Sequence, residues 1–490
     1  MGVKSMSRAR RAFQSGLTLA LILALALSGS VPVQAGPFFG EVGVKDEIEM
    51  GRKFDEMARK QLPLVDDPEI IEYVRGLVNK VAQHIPQQAY PITTTVVSNP
   101  GINAFAVPGG YVYVYTGLIL NFEHEAQVAG VIGHELGHVT QHHVAQRIEK
   151  MQIVNIASMI GMLGGVFLGV TGSGGESGRS LSNAMVIGSQ AGAVSAFLAY
   201  TQENEKEADH VGLTYMMDSG YRPSAMAEGF ELIKRRTWNM GTREGPSYLA
   251  THPGLNERIG YLQERIARLP KEIQARTDDD RAFERIKTLI RARYSDPEVA
   301  LAYYNEKKER MNCLDHLGMG MALERARKKS LARDQFEAAL ECGQSEELIQ
   351  REAGRFLFEN GEYDLAQPAL ERAVAMNTRD TFAMFFLGRL LAGKKQYKPA
   401  IDYLKRVVLK HPTDSEVHYH LGRVLGESGD MFNAYKELTY AAIYQNERSK
   451  AQFHLEKTKA LAKDPTQRKD VDDLEKTFDK QFRAKATGIF

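Results

Sequence analysis

The sequence predicts a mostly α-helical chain, in which a helical domain with a small β-sheet is followed by an α-solenoid of short repeats. Apolar residues recur at helical spacing through most of the chain. A region between residues 90 and 115 instead alternates β-branched and aromatic residues, which is typical of strands. From about residue 313 the pattern repeats every 34 residues, which is the period of tetratricopeptide repeats.

The composition is that of a globular chain with balanced charge. The 490 residues include 62 Lys and Arg against 61 Asp and Glu, a formal net charge of +1. Because there is no bulk excess of cations, the composition gives no reason to expect a nucleic-acid partner. The length allows two or more domains with their own cores, whereas two cysteines are too few for a disulfide-built scaffold.

Residues 1–35 are predicted to be a cleaved signal peptide. Three arginines precede an apolar run at 17–27, and the stretch ends in the A-x-A-like word Val33-Gln34-Ala35. The run is shorter than the roughly 20 apolar residues of a transmembrane helix, although an uncleaved anchor is the alternative. We therefore expect the mature chain to begin near Gly36, on the far side of a membrane.

The first elements of the mature chain are predicted to be two helices and then strands. Two amphipathic patterns lie between residues 45 and 83, separated at 62–68 by a break that contains two prolines. Strands are predicted at 92–97 and 111–115, and the residues around 103–110 are expected to bridge them.

The candidate chemistry begins in a predicted helix that runs from Glu123 to Lys150. It contains the pattern H-E-x-x-H, in which His134 and His138 lie four residues apart and therefore project from one face of the helix. Two such imidazoles can bind one metal ion, and Glu135 can reach a metal-bound water as a general base. Because so short a pattern also arises by chance, a metal site is indicated only if the chain also supplies a third ligand.

The stretch 153–200 is apolar and rich in glycine, with a Gly/Ser linker at 172–182. Three interpretations remain open from the sequence. The first interpretation is a transmembrane hairpin, and the second is a lid over the cleft that touches a membrane or a partner. The third is a pair of core-packing helices joined by a mobile loop.

A third ligand is expected on the next helix, where Glu203, Glu205 and Glu207 are all candidates by spacing alone. At this point the chain resembles a known family. The H-E-x-x-H word followed by the E-x-x-A-D word at 205–209 is similar to the zinc metallopeptidase family of HtpX and the type-1 CAAX prenyl protease. Three further words fit the same family: Asn103-Ala104-Phe105, Pro108-Gly109-Gly110 and Thr251-His252-Pro253.

The resemblance implies a zincin-like metalloprotease domain at residues 36–270. It implies three ligands for Zn²⁺: His134, His138 and Glu205. Such a set leaves one coordination position open, as catalytic zinc requires. The implied catalytic residues are Glu135 as general base and Asp209 as the acceptor that orients a ligand imidazole, together with His252.

The role of His252 has two interpretations, and the other polar residues near these words are ranked lower. His252 is expected to line the site, either over the zinc or as a donor to the oxyanion; the alternative is a turn or helix-cap histidine. Arg258, on the following helix, is a weaker candidate. Three other histidines are expected to be structural or surface residues: His124, His142 and His143.

The second half is predicted to be four tetratricopeptide units at residues 313–450, after a helical linker at 271–312 and before a capping helix and tail at 451–490. Small residues recur at the 34-residue period: Gly320, Gly354, Gly388 and Gly422. Such an array stacks into a superhelix with a concave surface suited to peptides or partners, although a spacer is the alternative. Antiparallel helices would bring Cys313 near Cys342, so a disulfide is expected in an oxidising compartment.

Taken together, the resemblance, the leader and the repeats imply a zinc-dependent endopeptidase of the bacterial periplasm. Its implied partners are unfolded or misassembled outer-membrane proteins and the β-barrel assembly machinery, with a peripheral membrane contact also expected. The sheet at 90–115 would either receive an extended substrate by strand addition or only pack against the metal-binding helix. Two alternatives are a chaperone or scaffold with a restrained zinc site, and an integral-membrane prenyl-protein protease.

Overall fold

The structure is a computed structural model and describes residues 42–150, 200–240 and 248–483. The predicted signal peptide, residues 1–35, lies outside the described residues, and so does the glycine-rich stretch up to residue 199. Within the described ranges, no helix has the length and apolar character required to cross a membrane.

Two helices precede the sheet, as the sequence predicts: α1 (Val44–Gln61) and α2 (Pro68–Ala82). Asp67 caps α2 because its side chain accepts hydrogen bonds from the backbone N–H groups of Glu69 and Ile70. Pro68 occupies the first turn, where its missing N–H costs nothing.

The sheet has three strands in the order β1-β3-β2: β1 (Thr93–Val97), β2 (Ala104–Val107) and β3 (Tyr111–Tyr115). β1 is parallel to β3, and β2 is antiparallel to it. The segment expected only to bridge two strands is therefore an edge strand. The turn from β2 to β3 requires left-handed backbone at Gly109 and Gly110, with φ of 80° and 83°.

The predicted helix from Glu123 to Lys150 is in fact two helices. They follow a short helix α3 (Thr116–Asn121) and are α4 (Glu125–Thr140) and α5 (His143–Lys150). The break falls at His142, whose φ of 53° is left-handed. No glycine or proline marks this break in the sequence, so periodicity alone continued the helix through it.

The helix α6 (Gln202–Asp218) packs against α4 at unusually close range. A Cβ atom on Gly137 would lie 2.6 Å from the carbonyl oxygen of Ala208, and one on Gly133 would lie 2.7 Å from that of Gly212. Side chains at these glycines would therefore separate the helices. The close approach brings the acidic residues of α6 against the histidines of α4.

The domain continues through α7 (Ser224–Met240), α8 (Tyr248–Thr251), α9 (Leu255–Ala267) and α10 (Lys271–Gln274). Two further helices fall in the predicted linker, α11 (Arg281–Tyr294) and α12 (Pro297–Glu306), before a 3₁₀ turn at Lys308–Arg310. The division of the chain at residues 270 and 312 remains a prediction.

The second half consists of antiparallel helix pairs. The first helices of the four units are α13 (Cys313–Arg325), α15 (Glu347–Glu359), α17 (Thr381–Gly393) and α19 (Ser415–Glu427). The second helices are α14 (Lys329–Cys342), α16 (Tyr363–Met376), α18 (Tyr397–Lys410) and α20 (Met431–Tyr444). The array ends in α21 (Arg448–Leu461) and α22 (Pro465–Arg483), so much of the predicted charged tail is helical.

The period-34 glycines lie where the two helices of each unit touch. A Cβ atom on Gly354 would lie 2.8 Å from Leu370, and the equivalent distance from Gly422 to Leu438 is 2.9 Å. The repeated glycine therefore permits the close pairing, as the sequence predicts. The expected disulfide is also confirmed, since Cys313 and Cys342 are bonded with their Cα atoms 5.7 Å apart.

A buried network of charges joins the first domain to the second repeat. Glu352 of α15 is completely buried and lies 2.7 Å from Arg293 of α11. Arg351 lies 2.7 Å from Glu69 of α2. Because a buried charge without its partner costs several kcal/mol, these contacts hold the repeat array against the first domain.

Candidate metal centre

The two histidines of the H-E-x-x-H word face one point, as their helical spacing predicts. Their Nε2 atoms are 3.0 Å apart, and both side chains are buried. Burial and the neighbouring Arg258 lower the pKa of His134 to about 4, and burial lowers the pKa of His138 well below its usual value. Both imidazoles are therefore neutral at pH 7, the form that binds a metal.

Glu205 of α6 completes a three-residue donor set. Its Oε1 atom is 3.3 Å from Nε2 of His138, and its Oε2 atom is 3.5 Å from Nε2 of His134. A tetrahedral zinc with bonds of about 2.0–2.2 Å separates its ligand atoms by about 3.3–3.5 Å. The donor atoms are of the type that zinc binds, and both distances from Glu205 match this spacing, while the two Nε2 atoms, 3.0 Å apart, lie slightly closer together.

His252 reaches the same point from the turn between α8 and α9. Its Nδ1 atom lies 3.0 Å from Oε1 of Glu205 and 3.1 Å from Nε2 of His134. The ligand atoms of His134, His138, Glu205 and His252 all lie within 4.8 Å of one another. Burial opposes protonation of His252, but Glu205 and Glu135 raise its pKa above the usual value.

Glu135 lies beside the donor set without belonging to it. Among the described residues its buried Oε1 atom accepts no hydrogen bond and lies 3.4 Å from Nε2 of His252. Burial raises the pKa of Glu135 to about 7, although a hydrogen bond from the backbone N–H of Ala106 in β2 opposes this. A carboxyl group with such a pKa can both accept and release a proton near neutrality.

Asp209 contacts one of the two α4 histidines from behind. Its Oδ1 atom is 2.7 Å from Nδ1 of His134, so it accepts the proton there and leaves the Nε2 lone pair free for a metal. Burial alone would raise the pKa of Asp209, but Arg258 and His134 hold it well below its usual value. Tyr261 also donates a hydrogen bond to this carboxylate.

Arg258 is central to the site, whereas the sequence ranks it as a weaker candidate. Its Nε and Nη2 atoms donate to Asp209 over 2.8 and 2.7 Å, its Nη1 atom is ion-paired with Glu205, and its guanidinium stacks on Phe230. The sequence does contain a feature that identifies Arg258 as a buried, paired cation. Arg258 falls on the apolar stripe of α9, between Leu255 and Ile259, where a cation requires a buried partner.

His143 was expected to be a structural or surface residue, yet it contacts a candidate ligand. Its Nδ1 atom lies 2.8 Å from Nδ1 of His138, and its Nε2 atom lies 3.2 Å from Glu207. The bond pattern is consistent if His138 donates to His143 and His143 donates to Glu207. His142 and His124 lie away from the donor set, against Glu47 and Asp280 respectively.

Tyr200 packs against the candidate ligand His138. Its ring stacks on His138 with centroids 3.7 Å apart, and its backbone N–H donates to the carbonyl of Thr251 over 3.1 Å. It is the last residue of the stretch that the sequence left with three interpretations. The remainder of that stretch lies outside the described residues.

The fold and this site define the class of protein: a metallopeptidase domain with a buried His/His/Glu centre, joined to a tetratricopeptide array. Residues 66–266 match the model of Peptidase family M48. Residues 357–419 match a tetratricopeptide repeat model. The resemblance predicted from the motifs is therefore confirmed.

Individual relatives support the same assignment. The chain is 29% identical over 267 residues to a putative beta-barrel assembly-enhancing protease of Vibrio cholerae, covering 54% of this chain and 53% of the relative. It is 29% identical over 239 residues to the beta-barrel assembly-enhancing protease of Escherichia coli strain K12, covering 48% and 47%. It is 31% identical over 185 residues to the mitochondrial metalloendopeptidase OMA1 of Arabidopsis thaliana, covering 37% and 34%. The chain thus spans about half the length of the two beta-barrel assembly-enhancing relatives.

Proposed function

We propose that this chain is a zinc-dependent endopeptidase of the bacterial periplasm that cleaves unfolded or misassembled outer-membrane proteins. The observation that carries the proposal is the buried donor set of His134, His138 and Glu205 with Glu135 beside it. Three protein ligands of this type leave one position open for water or substrate.

Each residue of the site has a proposed role in peptide hydrolysis. Zinc, when bound by the three ligands, would supply a Lewis acid that polarises the scissile carbonyl and acidifies a water. Glu135 would take the proton from that water and deliver it to the leaving amine. His252 would line the site and donate to the oxyanion, and Asp209 would hold His134 in its ligating tautomer.

The edge strand β2 supports an extended mode of substrate binding. The N–H of Tyr115 in β3 bonds to the carbonyl of Asn103, so in an antiparallel pair Ala104 and Ala106 direct their backbone groups away from β3. The N–H of Ala106 faces Glu135. A client backbone added along β2 would therefore pass beside the general base.

A series of fluorogenic client peptides, each N-methylated at one amide, tests whether the substrate adds to β2 as a strand. The alternative is that the sheet only packs on α4. A methyl group is expected to lower kcat/KM about three- to tenfold at every second position of the series, because only alternate amides of an added strand bond to β2. The intervening amides should tolerate the methyl group. A peptide series with no alternation in kcat/KM would exclude pairing with β2.

The compartment and the partners are also proposals. The predicted leader and the disulfide between Cys313 and Cys342 favour an oxidising compartment outside the cytoplasm. The names of two relatives refer to β-barrel assembly, which supports clients among outer-membrane proteins and a contact with their assembly machinery. Peripheral contact with the membrane belongs to the same proposal.

The function is tested by cleavage of an unfolded client protein before and after removal of metal. Chelation is expected to abolish cleavage by the purified full chain, and one equivalent of zinc should restore it, since the chemistry depends on the three-ligand centre. An inhibitor of serine proteases serves as the control and should have no effect. Cleavage that survives complete metal removal would contradict the proposal.

A second candidate function is a chaperone or scaffold with a restrained zinc site. The observation that favours it is His252, whose Nδ1 atom lies 3.1 Å from a candidate ligand atom of His134 and could fill the open position. The discriminating result is aggregation of an unfolded client that is suppressed equally with and without metal, in the absence of any cleavage.

A further inference from the structure

The first helices of the last two repeat units, α17 and α19, and the capping helix α21 carry the same pair of residue types at the same positions. An aromatic residue is followed four residues later by a cation, and each pair is 34 residues from the next. The three pairs are Phe385 with Arg389, Tyr419 with Arg423, and Phe453 with Lys457. We call these six residues the aromatic–cation column. Residues four apart lie on one helix face, so each helix presents its pair together.

Two of the three aromatic members are unusually exposed. Tyr419 is 47% exposed and Phe453 is 56% exposed. Phe385 is buried but lies under the guanidinium of Arg389 at 5.1 Å, and Lys457 lies 5.6 Å from the ring of Phe453. Large apolar side chains aligned on one face of a repeat array form a surface that extended peptides can contact.

The two arginines of the column have carboxylate partners at ion-pair distance but not at hydrogen-bond distance. The nearest carboxylate oxygen recorded for Arg389 is 3.8 Å away on Glu416, and that for Arg423 is 3.7 Å away on Glu427, beyond hydrogen-bond length. In the preceding unit the equivalent Arg355 donates hydrogen bonds to Glu324 over 3.0 Å or less. The column therefore begins at the unit in which the arginine at this position no longer donates a hydrogen bond to a carboxylate.

The surroundings of Arg389 are largely aromatic, and Glu416 and Glu359 are the carboxylates that act on its charge. Its guanidinium lies within 5.5 Å of three aromatic ring centroids: Phe358, Phe385 and Phe386. Burial lowers the pKa of Arg389. Burial, Arg389 and Arg423 together lower the pKa of His420 to about 4.

Two histidines next to the column have unused hydrogen-bonding capacity. Within the described residues, the Nδ1 atoms of His420 and His454 are buried without a hydrogen-bond partner. These residues are also 34 apart, and each directly follows an aromatic member of the column. Buried polar atoms without partners are rare unless a ligand or water completes them.

We propose that the aromatic–cation column is a docking surface for an extended, acidic segment of a client polypeptide that carries aromatic side chains. Carboxylates of the segment pair with Arg389, Arg423 and Lys457, and its apolar side chains pack on the exposed rings. The proposal rests on the proposed function only in calling the bound segment a client. The surface itself requires no hydrolysis.

The spacing of the column defines the peptide that fits it. The first helices α17 and α19 contact each other, helices in contact lie about 8–10 Å apart, and an extended chain rises about 3.3 Å per residue. Carboxylates at every third residue would therefore meet successive cations. A labelled (Gly-Phe-Glu)₄ peptide is the matching probe, and (Gly-Phe-Lys)₄ is its charge-reversed control.

Fluorescence anisotropy of these probes with the full chain tests the proposal. The chain carries Glu135→Gln so that no probe is cleaved, which separates this test from the test of proteolysis. We expect saturable binding of the acidic probe and at least about tenfold weaker binding of the basic probe. Raising the salt from 50 to 300 mM should also weaken the acidic probe several-fold. Equal binding of the two probes would overturn the proposal.

Matched variants locate the binding on the column. Arg389→Glu with Arg423→Glu should weaken the acidic probe about tenfold or more, whereas Arg372→Glu with Lys405→Glu, an equal charge change on exposed residues of the second helices, should not. Tyr419→Ala with Phe453→Ala should weaken it too, unlike Leu409→Ala, which removes an 80% exposed side chain from α18. Loss of self-association rather than of probe binding in the charge-reversed variant would identify the occupant as a second copy and overturn the client assignment.

Discussion

Replacing Glu135 by glutamine is expected to reduce kcat for cleavage of an unfolded protein by about 10²–10⁴-fold, the contribution of a positioned general base. Glutamine keeps the shape of the side chain but cannot accept the proton of the attacking water. Glu135 lies beside the donor set and is not one of the three proposed ligands. The variant should therefore bind one zinc per chain with unchanged affinity.

The measurement pairs single-turnover cleavage of a denatured client with zinc titration by a competing chelator. Glu203→Gln is the matched control, because this carboxylate lies on the exposed face of α6 two residues before Glu205 and has the same chemistry. It should cleave at the wild-type rate. If Glu135→Gln also cleaved at that rate, hydrolysis would have to proceed without this carboxylate and the protease mechanism would be wrong.

The parts of the site that the sequence predicts are those set by local spacing. His134 and His138 share a helix face because they are four residues apart, whereas spacing leaves several glutamates open and only the resemblance of the E-x-x-A-D word to the family selects Glu205. The four repeat units are equally predictable, because a strict 34-residue period repeats one packing solution. In each case the information lies within one helix or one unit.

The parts that the sequence misses depend on contacts between distant segments. Arg258 is 49 residues from Asp209. It becomes the cation that Glu205 and Asp209 share only because α9 packs against α6. His143 reaches His138 because a left-handed residue turns the chain at 142, a conformation that is uncommon for residues other than glycine. The four-residue strand β2 has little strand propensity in its alanines and forms because β3 lies beside it.

Replacing Arg258 by methionine is expected to destabilise the metal-free peptidase domain by about 3–5 kcal/mol, the usual cost of leaving a buried charge without its partner. Arg258 is 3% exposed and pairs with both Glu205 and Asp209. Methionine keeps an unbranched apolar side chain near Phe230 but leaves two buried carboxylates without this cation. In calorimetry the transition of the domain should fall by roughly 10 °C.

Zinc should recover part of this loss, which separates a role at the site from a purely structural one. A bound divalent ion neutralises Glu205, so the difference between Arg258→Met and the wild type should shrink when both are loaded with zinc. Arg258→Lys should lie between them, because lysine retains the charge but not the fork that binds Asp209 at two atoms.

The matched control for Arg258 is Arg268→Met. Arg268 directly follows α9, its side chain is 75% exposed, and it pairs only with Glu264 among the described residues, so the loss should stay below about 1 kcal/mol. If zinc stabilised the Arg258→Met variant and the wild type by the same amount, Arg258 would be holding the helices together without acting on the metal centre. If zinc instead reduces the difference in stability between the variant and the wild type, the guanidinium is the charge that pairs with Glu205 and Asp209 in the metal-free domain. The buried acidic residues of α6 would then remain paired in both states of the domain.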